Sequence, residues 1–212
     1  MNKHENQETI KLPDPIIDGA ISVEKALFLR RSVRNYAAKP LALAELSQLL
    51  WAAQGLSTPQ GLRTTPSAGA LYPLEIYIMA AIVEGLSTGI YKYSCPDHVL
   101  VMTGNRDVRA ELFDAALRQG AIKNAPVTMI ICAVYERIIG KYGDRGRRYT
   151  HMEAGHASQN VYLQAQSLGL ATVAIGAFHD ARISKIINLN DTEYPLYLMP
   201  IGKPAQSIDM TP

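Results

Sequence analysis

The sequence lacks the features that mark secreted, membrane-spanning and metal-cluster proteins. Its two cysteines, Cys95 and Cys132, have no CxxC spacing and are too few for a disulfide framework, so we expect both to be ordinary thiols. The opening residues MNKHENQETIKLPDP contain no apolar signal core, and no later run reaches the length of a membrane span. These absences predict a cytoplasmic protein.

Neither sign of charge is in large excess. Lysine and arginine together number 21 and aspartate and glutamate 19, which gives a formal net charge of +2. Proteins that bind the nucleic acid backbone or an anionic membrane surface normally carry a strong basic excess. The near balance disfavours nucleic acid and membrane partners, so any basic site must be local.

What the sequence does contain is typical of one globular domain. The chain has 212 residues, of which 48% are hydrophobic and 19% charged. Residues 1–20 include Pro13, Pro15 and Gly19 and show no sustained periodicity, which predicts an N-terminal arm without a regular element that could wrap a partner subunit. The folded domain is then expected to cover residues 21–212.

Helices and strands are predicted in irregular succession. Apolar periodicity, caps and glycine stops predict helices at about 22–31 (capped by Ser22), 43–54 (stopped by Gly55), 105–119 (capped by Asn105), 150–168 and, after a cap at Asp180, a short one. Runs of strand-forming residues predict strands at 75–83, 88–94, 98–104, 127–134, 171–176 and 194–202. Because the two kinds of element do not alternate regularly and no GxGxxG follows a first strand, we expect an α+β layered domain rather than a doubly wound fold.

One face of the predicted helix at 150–168 carries mostly small side chains. Its members are Ala154, Ala157, Ser158, Val161, Ala165 and Leu168. Small side chains let a helix pack closely against another backbone. This stripe is therefore a candidate for close helix packing, including association of two subunits.

His151 and His156, with Glu153 between them, lie on the same predicted helix and invite a metal reading. Metal ligands on one helical face are expected at positions i and i+4, whereas positions i and i+5 diverge by about 140°. We therefore expect both histidines to be packed or hydrogen-bonded, and we predict no metal. Hydrolase chemistry is not supported either, because no Ser/His/Asp or Cys/His signature occurs in its expected context.

The segment Arg30-Arg31-Ser32-Val33-Arg34 places three guanidinium groups and a hydroxyl at the end of a predicted helix. Guanidinium groups bind phosphate through paired hydrogen bonds, and clustered cations in a partly closed site are costly unless an anion offsets them. The segment is therefore a candidate phosphate site. The alternative is a solvated basic helix end that interacts favourably with the helix dipole.

Two further segments are rich in small residues. Residues 65–73, TPSAGALYP, expose backbone amides between prolines that restrict the loop, so a flat ligand could lie against it; a plain turn before a strand explains the pattern about as well. Residues 169–177, GLATVAIGA, contain a strand whose Gly-Ala end could offer backbone amides to a ligand heteroatom. The alternative there is a buried strand followed by a turn.

In this order the three segments resemble those of the nitroreductase-like flavoproteins. More narrowly, the sequence is similar to the SagB-type dehydrogenase branch, which includes the azoline-oxidising enzymes of peptide heterocycle pathways. The segments that carry this similarity are RRSVRNY, LSQLLWAAQG, PSAGALYPLEIYI, KYGDRGRRY, EAGHASQNVYLQAQSLGLATVAIGAF and PIGKP. The resemblance covers about residues 22–204. It implies a central, mostly antiparallel sheet flanked by helices, and an intertwined homodimer that encloses two FMN molecules.

The resemblance also implies which residues bind FMN. Those expected at the phosphate and the ring edge are Arg30, Ser32 and Arg34, adjoined by Arg31, with Lys203 as a late basic contact to the phosphate. The loop expected to reach the flavin from the partner subunit consists of Pro66, Ser67, Ala68 and Gly69. A backbone amide at Gly176 or Ala177 would face flavin N5, the atom that exchanges hydride.

Two positions depart from the wider nitroreductase pattern. Ala70 stands where that family has an asparagine, and Gly176-Ala177 stands where it has Glu-Gly. These departures disfavour reduction of nitroaromatic compounds as the native role.

Lys141 and Tyr142 resemble the Lys-Tyr pair that handles protons in azoline dehydrogenases. A lysine acts as a base near neutral pH only if burial or neighbouring cations lower its pKa, and Arg145 and Arg147 are candidate neighbours. The alternative is a mobile basic surface loop at 141–149.

The sequence thus predicts an FMN-dependent oxidoreductase that works by a ping-pong cycle, with NAD(P)H as the reductant and hydride transfer through flavin N5. One alternative is the oxidation of an azoline to an azole, with Lys141 or Tyr142 removing a carbon-bound proton. An alternative of another class is a flavin carrier or redox-sensing module without catalysis.

Overall fold

The computed structural model describes residues 8–206, and in this part of the chain seven strands form one sheet. The strands are β1 (Thr9–Lys11), β2 (Leu74–Ala80), β3 (Gly89–Ser94), β4 (Val99–Gly104), β5 (Val127–Ala133), β6 (Ala171–Thr172) and β7 (Tyr194–Gly202). Their order is β1-β4-β3-β2-β5-β7-β6, and every ladder is antiparallel. The α+β prediction with a mostly antiparallel sheet is therefore confirmed.

Helices cover both faces of the sheet. They are α1 (Val23–Leu29), α2 (Leu43–Gln54), α3 (Arg109–Ala115), α4 (Gly120–Asn124), α5 (Glu136–Tyr142), α6 (Arg145–Ser167) and α7 (Asp180–Ile186). The helices α2 and α6 pack on one face of the sheet, whereas buried residues of α3, α4 and α7 form the core on the other. Among residues 8–206, no helix is both long and apolar enough to cross a membrane.

The helix α2 has the predicted bounds. Leu46, Leu49 and Leu50 are fully buried on its inner side. Gly55 follows the helix, and a Cβ added to Gly55 would lie only 2.7 Å from the Cα of Trp51. The glycine is therefore required because the chain turns back close over the last helical turn. The predicted cap of α1 is also confirmed, since Ser22 Oγ accepts the Lys25 amide at 3.2 Å.

The helix α6 is longer than predicted, and its small-residue stripe lies inside the domain. Ala154, Ala157, Val161 and Ala165 are buried in the core that α2 and the sheet share with α6. The small side chains thus allow close packing within one chain, as expected. Because this face is already filled, subunit association through α6 must use its other face.

The single helix predicted at 105–119 is wrong. The chain forms the short helices α3 and α4 there, and Leu117 and Arg118 between them have positive φ angles of 54° and 58°. The predicted cap, Asn105, lies outside both helices. Asp107 instead accepts the Arg109 amide at 3.0 Å, so the helix begins later than the apolar pattern suggested.

Other boundaries also differ from the prediction. Residues 9–11 of the expected arm form β1 on the edge of the sheet, because Ile10 and Leu12 pack against the core and the backbone pairs with β4. The strand expected at 171–176 is only two residues long in the sheet, and Ile175 rejoins β7 through an isolated bridge to Leu198. His179, rather than Asp180, is the residue that precedes α7.

Candidate active site

The arginine segment leaves α1 and runs beside β6. Arg30 ends the helix, and Ser32 forms a parallel bridge with Thr172, so that the Val33 amide donates to the Thr172 carbonyl at 3.0 Å. Tyr36 fixes the far end of the segment, since its hydroxyl lies 2.7 Å from the Val33 carbonyl and 2.9 Å from the Pro200 carbonyl. Burial raises the pKa of the Tyr36 hydroxyl, which keeps it a neutral donor.

Tyr162 of α6 joins this segment to the predicted strand end, and sequence reasoning missed it. Its hydroxyl oxygen accepts the Ala174 amide at 2.7 Å and lies 3.0 Å from Ser32 Oγ. The Arg30 guanidinium lies 5.2 Å above the Tyr162 ring, within the range of a cation–π interaction. The only sequence signal for this role was the position of Tyr162 on α6, next to the stripe of small residues.

The three arginines have different surroundings. Arg31 donates to the carbonyls of Phe28 at 2.8 Å and Arg30 at 2.9 Å, so for this residue the alternative of a basic helix end fits. Arg34 is exposed and has no hydrogen bond or ion pair within residues 8–206. It lines a cavity of about 610 Å³ together with Ser32 and Pro204. Arg34 is thus a cation that an anionic ligand can reach.

Lys203 lies on the strand end that runs beside the arginine segment. Its carbonyl accepts the Ala37 amide at 2.8 Å, and the Ala205 amide donates to the Asn35 carbonyl at 3.1 Å. Its ammonium group is 4.0 Å from a carboxylate oxygen of Glu45. The structure therefore brings the backbone of Lys203 close to the arginine segment, whereas the ammonium group lies beside Glu45.

Gly176 and Ala177 are exposed just after the bridge at Ile175. In the described part of the chain neither backbone amide donates a hydrogen bond, although the Ala177 carbonyl accepts one from Gln119 at 3.0 Å. A Cβ at Gly176 would make only ordinary contact, at 3.6 Å, with Tyr197. The chain itself therefore gives no steric reason for glycine here, and the two amides are free to bind a ligand.

The loop at 65–70 is held firmly from α2 and α6. Thr65 is buried and donates to the Ala53 carbonyl at 2.7 Å, while Asn160 Nδ2 donates to Thr65 Oγ1 at 3.1 Å. Ser67 Oγ accepts the Tyr72 amide at 2.9 Å. Gly69 has a φ of 66°, which glycine adopts at little cost. The segment is therefore an anchored loop rather than a plain turn.

Lys141 and Tyr142 form the last residues of α5, so the alternative of a mobile loop is wrong. They lie against Gly69: a Cβ there would be 2.9 Å from the Tyr142 hydroxyl and 3.0 Å from Lys141 Nζ. The structure thus brings the Lys-Tyr pair and the predicted flavin loop together. Of the two arginines expected nearby, Arg147 lies over the Tyr135 ring at 4.6 Å.

Glu153 is a second feature that sequence reasoning missed as a site residue. The residue is 2% exposed, and neither carboxylate oxygen has a hydrogen-bond partner among the described residues. Burial raises the pKa of its carboxyl to about 7, although Ser67, Arg63 and Gln54 nearby lower it in part. The sequence signal that could have identified it is a glutamate directly beside the small residues that α6 buries.

The two histidines beside Glu153 have different roles. His151 Nε2 is hydrogen-bonded to the Tyr135 hydroxyl at 2.7 Å, as expected of a hydrogen-bonded residue. His156 lines a cavity of about 290 Å³ with Ser67, Tyr149 and Glu153. Within the described residues no group of three or more potential ligands could hold a metal ion.

The arginine segment and residues 66–68 of the loop contact different parts of α6. The segment meets Tyr162, and Thr65 at the start of the loop meets Asn160, but Pro66, Ser67 and Ala68 share a cavity with Glu153. At 1.5 Å of rise per residue Glu153 and Tyr162 are about 13 Å apart along the helix axis. One chain therefore does not bring all the predicted cofactor residues into one cavity.

Sequence comparison identifies relatives along nearly the whole chain. The model of the nitroreductase family matches residues 28–203. A nitroreductase-family protein of Methanocaldococcus jannaschii is 50% identical over 196 residues, which are 92% of this chain and 98% of the relative. The microcin B17-processing protein McbC of Escherichia coli is 26% identical over 169 residues, which are 76% of this chain and 62% of McbC.

Structure comparison agrees with the sequence match. The crystal structure of a nitroreductase homologue from Ralstonia eutropha superposes with a TM-score of 0.83 and 28% sequence identity. The aligned part covers 93% of this chain and 90% of that one. The family model matches most of the chain, a relative is aligned over almost its whole length, and the architecture is shared. This protein therefore belongs to the nitroreductase family, whose members are oxidoreductases.

Proposed function

We propose that the protein is an FMN-dependent oxidoreductase that takes hydride from NAD(P)H and passes electrons to a second substrate in a ping-pong cycle. The observation that carries this proposal is a strip of contacts from Arg34 and Ser32 through Tyr162 to Ala174, which lies two residues before the free amide of Gly176. Within residues 8–206, Arg34 at one end has no hydrogen bond or ion pair, and the backbone amides at the other end donate no hydrogen bond. This is the donor set that a phosphate joined to a polar ring system requires.

The residues present fit FMN at both ends of the strip. Arg34, Arg30 and Lys203 would hold the phosphate, with the Ser32 hydroxyl as a further donor, and Arg31 would adjoin them at the helix end. The unpaired amides of Gly176 and Ala177 would face the ring. FMN, when bound, supplies the atom that accepts and releases hydride. The protein contributes binding, orientation and charge stabilisation.

We infer that a homodimer completes this arrangement. The loop Pro66-Ser67-Ala68-Gly69 lies away from the arginine segment of its own chain, so it would complete the site of a partner subunit. Near α1 the surface carries large exposed apolar side chains, among them Ile17 at 82% and Phe28 at 57% exposure. Apolar patches of this kind mark interaction surfaces. Two chains would thus form two sites, each from both subunits.

Azoline oxidation is the second candidate, and the contact of Lys141 and Tyr142 with Gly69 favours it. The amine of Lys141 or the phenol of Tyr142 could remove a proton from a carbon of the azoline ring, while a hydride passes from that ring to the flavin. A Lys141→Ala variant tests this candidate against the exposed control Lys39→Ala. Unchanged azoline oxidation in Lys141→Ala would exclude proton removal by Lys141.

Absorbance spectroscopy tests the main proposal. Purified protein is expected to show flavin bands, either as isolated or after incubation with FMN and removal of the excess. Anaerobic addition of NADH or NADPH in a stopped-flow instrument should bleach the oxidised band. Colourless protein that takes up no FMN refutes the proposal, whereas a bound flavin that neither nucleotide nor an azoline can reduce indicates the carrier function.

A further inference from the structure

We propose that Glu153 is the proton store of this site: its carboxyl holds a proton in the resting protein and exchanges it with solvent through His156. The inference rests on the proposed flavin function, which it deepens. Tyr149, Glu153 and His156 occupy positions i, i+4 and i+7 of α6, so they lie on one face of the helix. All three line the cavity that also contains Ser67.

The burial of Glu153 is unusual because, within residues 8–206, its carboxyl forms no ion pair and no hydrogen bond of normal geometry, although Ser67, Gln54 and Arg63 lie near enough to favour its ionised form. Buried carboxylates are normally ion-paired or hydrogen-bonded, since an isolated buried charge is very costly. Both oxygens of Glu153 lack a partner within residues 8–206, and so does the neighbouring buried amide nitrogen Gln54 Nε2. A protonated carboxyl avoids the cost of the charge. The pKa of about 7 agrees with a group that is half protonated at neutral pH.

The charged groups around Glu153 leave it able to lose this proton. Arg63 is the nearby cation, but it donates to Gln54 Oε1 at 2.9 Å and lies over the Tyr72 ring at 4.5 Å. Its charge favours the ionised form of Glu153 without forming an ion pair. On α6 itself the facing groups are the phenol of Tyr149 and the imidazole of His156. The carboxyl is thus poised between its two states.

The cavity adjoins the groups that would move protons. The Tyr149 ring meets the Tyr142 ring edge-on, with centroids 5.3 Å apart, and Tyr142 with Lys141 lies against Gly69. Hydride transfer at a flavin releases or consumes protons, so the site needs a group that stores one near the ring. A proton that leaves a Glu153 oxygen would pass to the reduced ring or to its substrate beside the loop, and a proton from water would replace it through the His156 imidazole. No electrons move at Glu153, and the charge balance is restored when the solvent proton arrives.

Infrared difference spectroscopy tests the proton store without any cofactor. Cofactor-free wild-type protein should show a protonated carboxyl band that disappears as the pH is raised through about 7. The band should be absent in Glu153→Gln and retained in the control Glu136→Gln, which alters an exposed carboxylate of α5. Glu153→Gln preserves the size of the side chain and its neutral form, so we expect it to fold. If no band titrating near neutral pH is lost in Glu153→Gln, the proposal is wrong.

The role of His156 has its own measurement. After a rapid pH jump the carboxyl band should relax at least tenfold more slowly in His156→Gln than in wild type. His151→Gln, on the same helix but outside the cavity, should relax at the wild-type rate. Equal rates in wild type and His156→Gln would remove His156 from the pathway.

A third measurement separates this inference from the proposed function. In FMN-loaded protein the pH profile of anaerobic flavin reduction should bend near pH 7 in wild type and lose that bend in Glu153→Gln. Protein that binds FMN but lacks the infrared band refutes the proton store alone. Protein that shows the band but binds no FMN refutes the oxidoreductase proposal and, with it, any redox role of Glu153.

Discussion

The backbone amide of Ala174 donates a hydrogen bond of 2.7 Å to the hydroxyl oxygen of Tyr162. This contact fixes the strip that leads from the arginine segment to Gly176. Because the same hydroxyl lies 3.0 Å from Ser32 Oγ, one phenol orients both ends of the proposed cofactor site. Its removal should therefore affect folding stability and FMN binding together.

We expect Tyr162→Phe to lower the free energy of unfolding by about 1 to 3 kcal/mol, because it leaves the Ala174 amide without an acceptor. Urea denaturation of the cofactor-free protein measures this effect. Tyr142→Phe is the matched control, since the Tyr142 side chain is half-buried at the end of α5 and should change stability by no more than about 0.5 kcal/mol. Equal stability of Tyr162→Phe and wild type would contradict the prediction.

FMN should stabilise the wild-type protein through Arg34. At a thousandfold excess over its dissociation constant a ligand adds about 4 kcal/mol to the unfolding free energy. We expect Arg34→Ala to abolish most of this gain, because a charge-assisted hydrogen bond to phosphate is lost. Arg31→Ala should retain it, since Arg31 is bonded to carbonyls at the end of α1. Thermal melts with and without FMN measure both, and equal losses in the two variants would refute the assignment.

Stability should depend on the pH through Glu153. Its pKa is about 7 in the folded protein against 4.5 for an ordinary glutamate. A raised folded-state pKa gives stability that is fully present below pH 4.5, falls as the pH rises, and is lost above 7. The wild type should thus lose about 3 kcal/mol relative to Glu153→Gln across this window. Urea titrations of both proteins at several pH values measure the difference, and parallel pH profiles would contradict it.

Gly69→Ala should displace Lys141 and Tyr142. The new Cβ would lie 2.9 Å from the Tyr142 hydroxyl and 3.0 Å from Lys141 Nζ. Gly61→Ala is the control, because Gly61 also has a positive φ but has open space around its Cβ position. Both variants should lose about 1 kcal/mol from backbone strain. Only Gly69→Ala should alter the environment of the pair, which NMR of the Tyr142 ring would detect; unchanged ring signals would argue against the contact.

Dimer formation should depend on the apolar surface near α1. Phe28→Glu is expected to raise the dissociation constant of the dimer at least tenfold, which sedimentation velocity measures over a dilution series. Leu117→Glu, a similarly exposed position between α3 and α4, should leave the dimer intact. A wild-type protein that sediments as a monomer at micromolar concentration would refute the shared site.

Elements with complete local signals were predictable from the sequence. The bounds of α2 follow from its leucine stripe and from Gly55, whose side chain has no room beside Trp51. The hairpin of β3 and β4 was evident because two runs of strand-forming residues flank a short turn. The helix at 105–119 failed because its apolar pattern continues across Leu117 and Arg118, whose left-handed backbone the pattern does not reveal.

The candidate site could be predicted only in part from the sequence. The family motif named Gly69 and Lys141, but their contact depends on how α5 packs beside the loop, which no local pattern encodes. Tyr162 and Glu153 were missed because their importance comes from what the fold places around them. Tertiary packing places the Tyr162 hydroxyl between two segments that are distant in sequence. It also buries the Glu153 carboxyl where, within residues 8–206, it finds no hydrogen-bond partner.

The position of β7 within the sheet determines when, during synthesis, the sheet can be completed and a cofactor can bind. Among the strands of residues 8–206, β7 is synthesised last, and it lies between β5 and β6 rather than at the margin. Until the ribosome has released residues 194–202, β6 lacks its neighbour, and the backbone next to Lys203 cannot clasp the arginine segment. Pairing over such long sequence separations is slow and follows translation. Loading with any nucleotide cofactor must therefore wait until residues 194–202 have been synthesised.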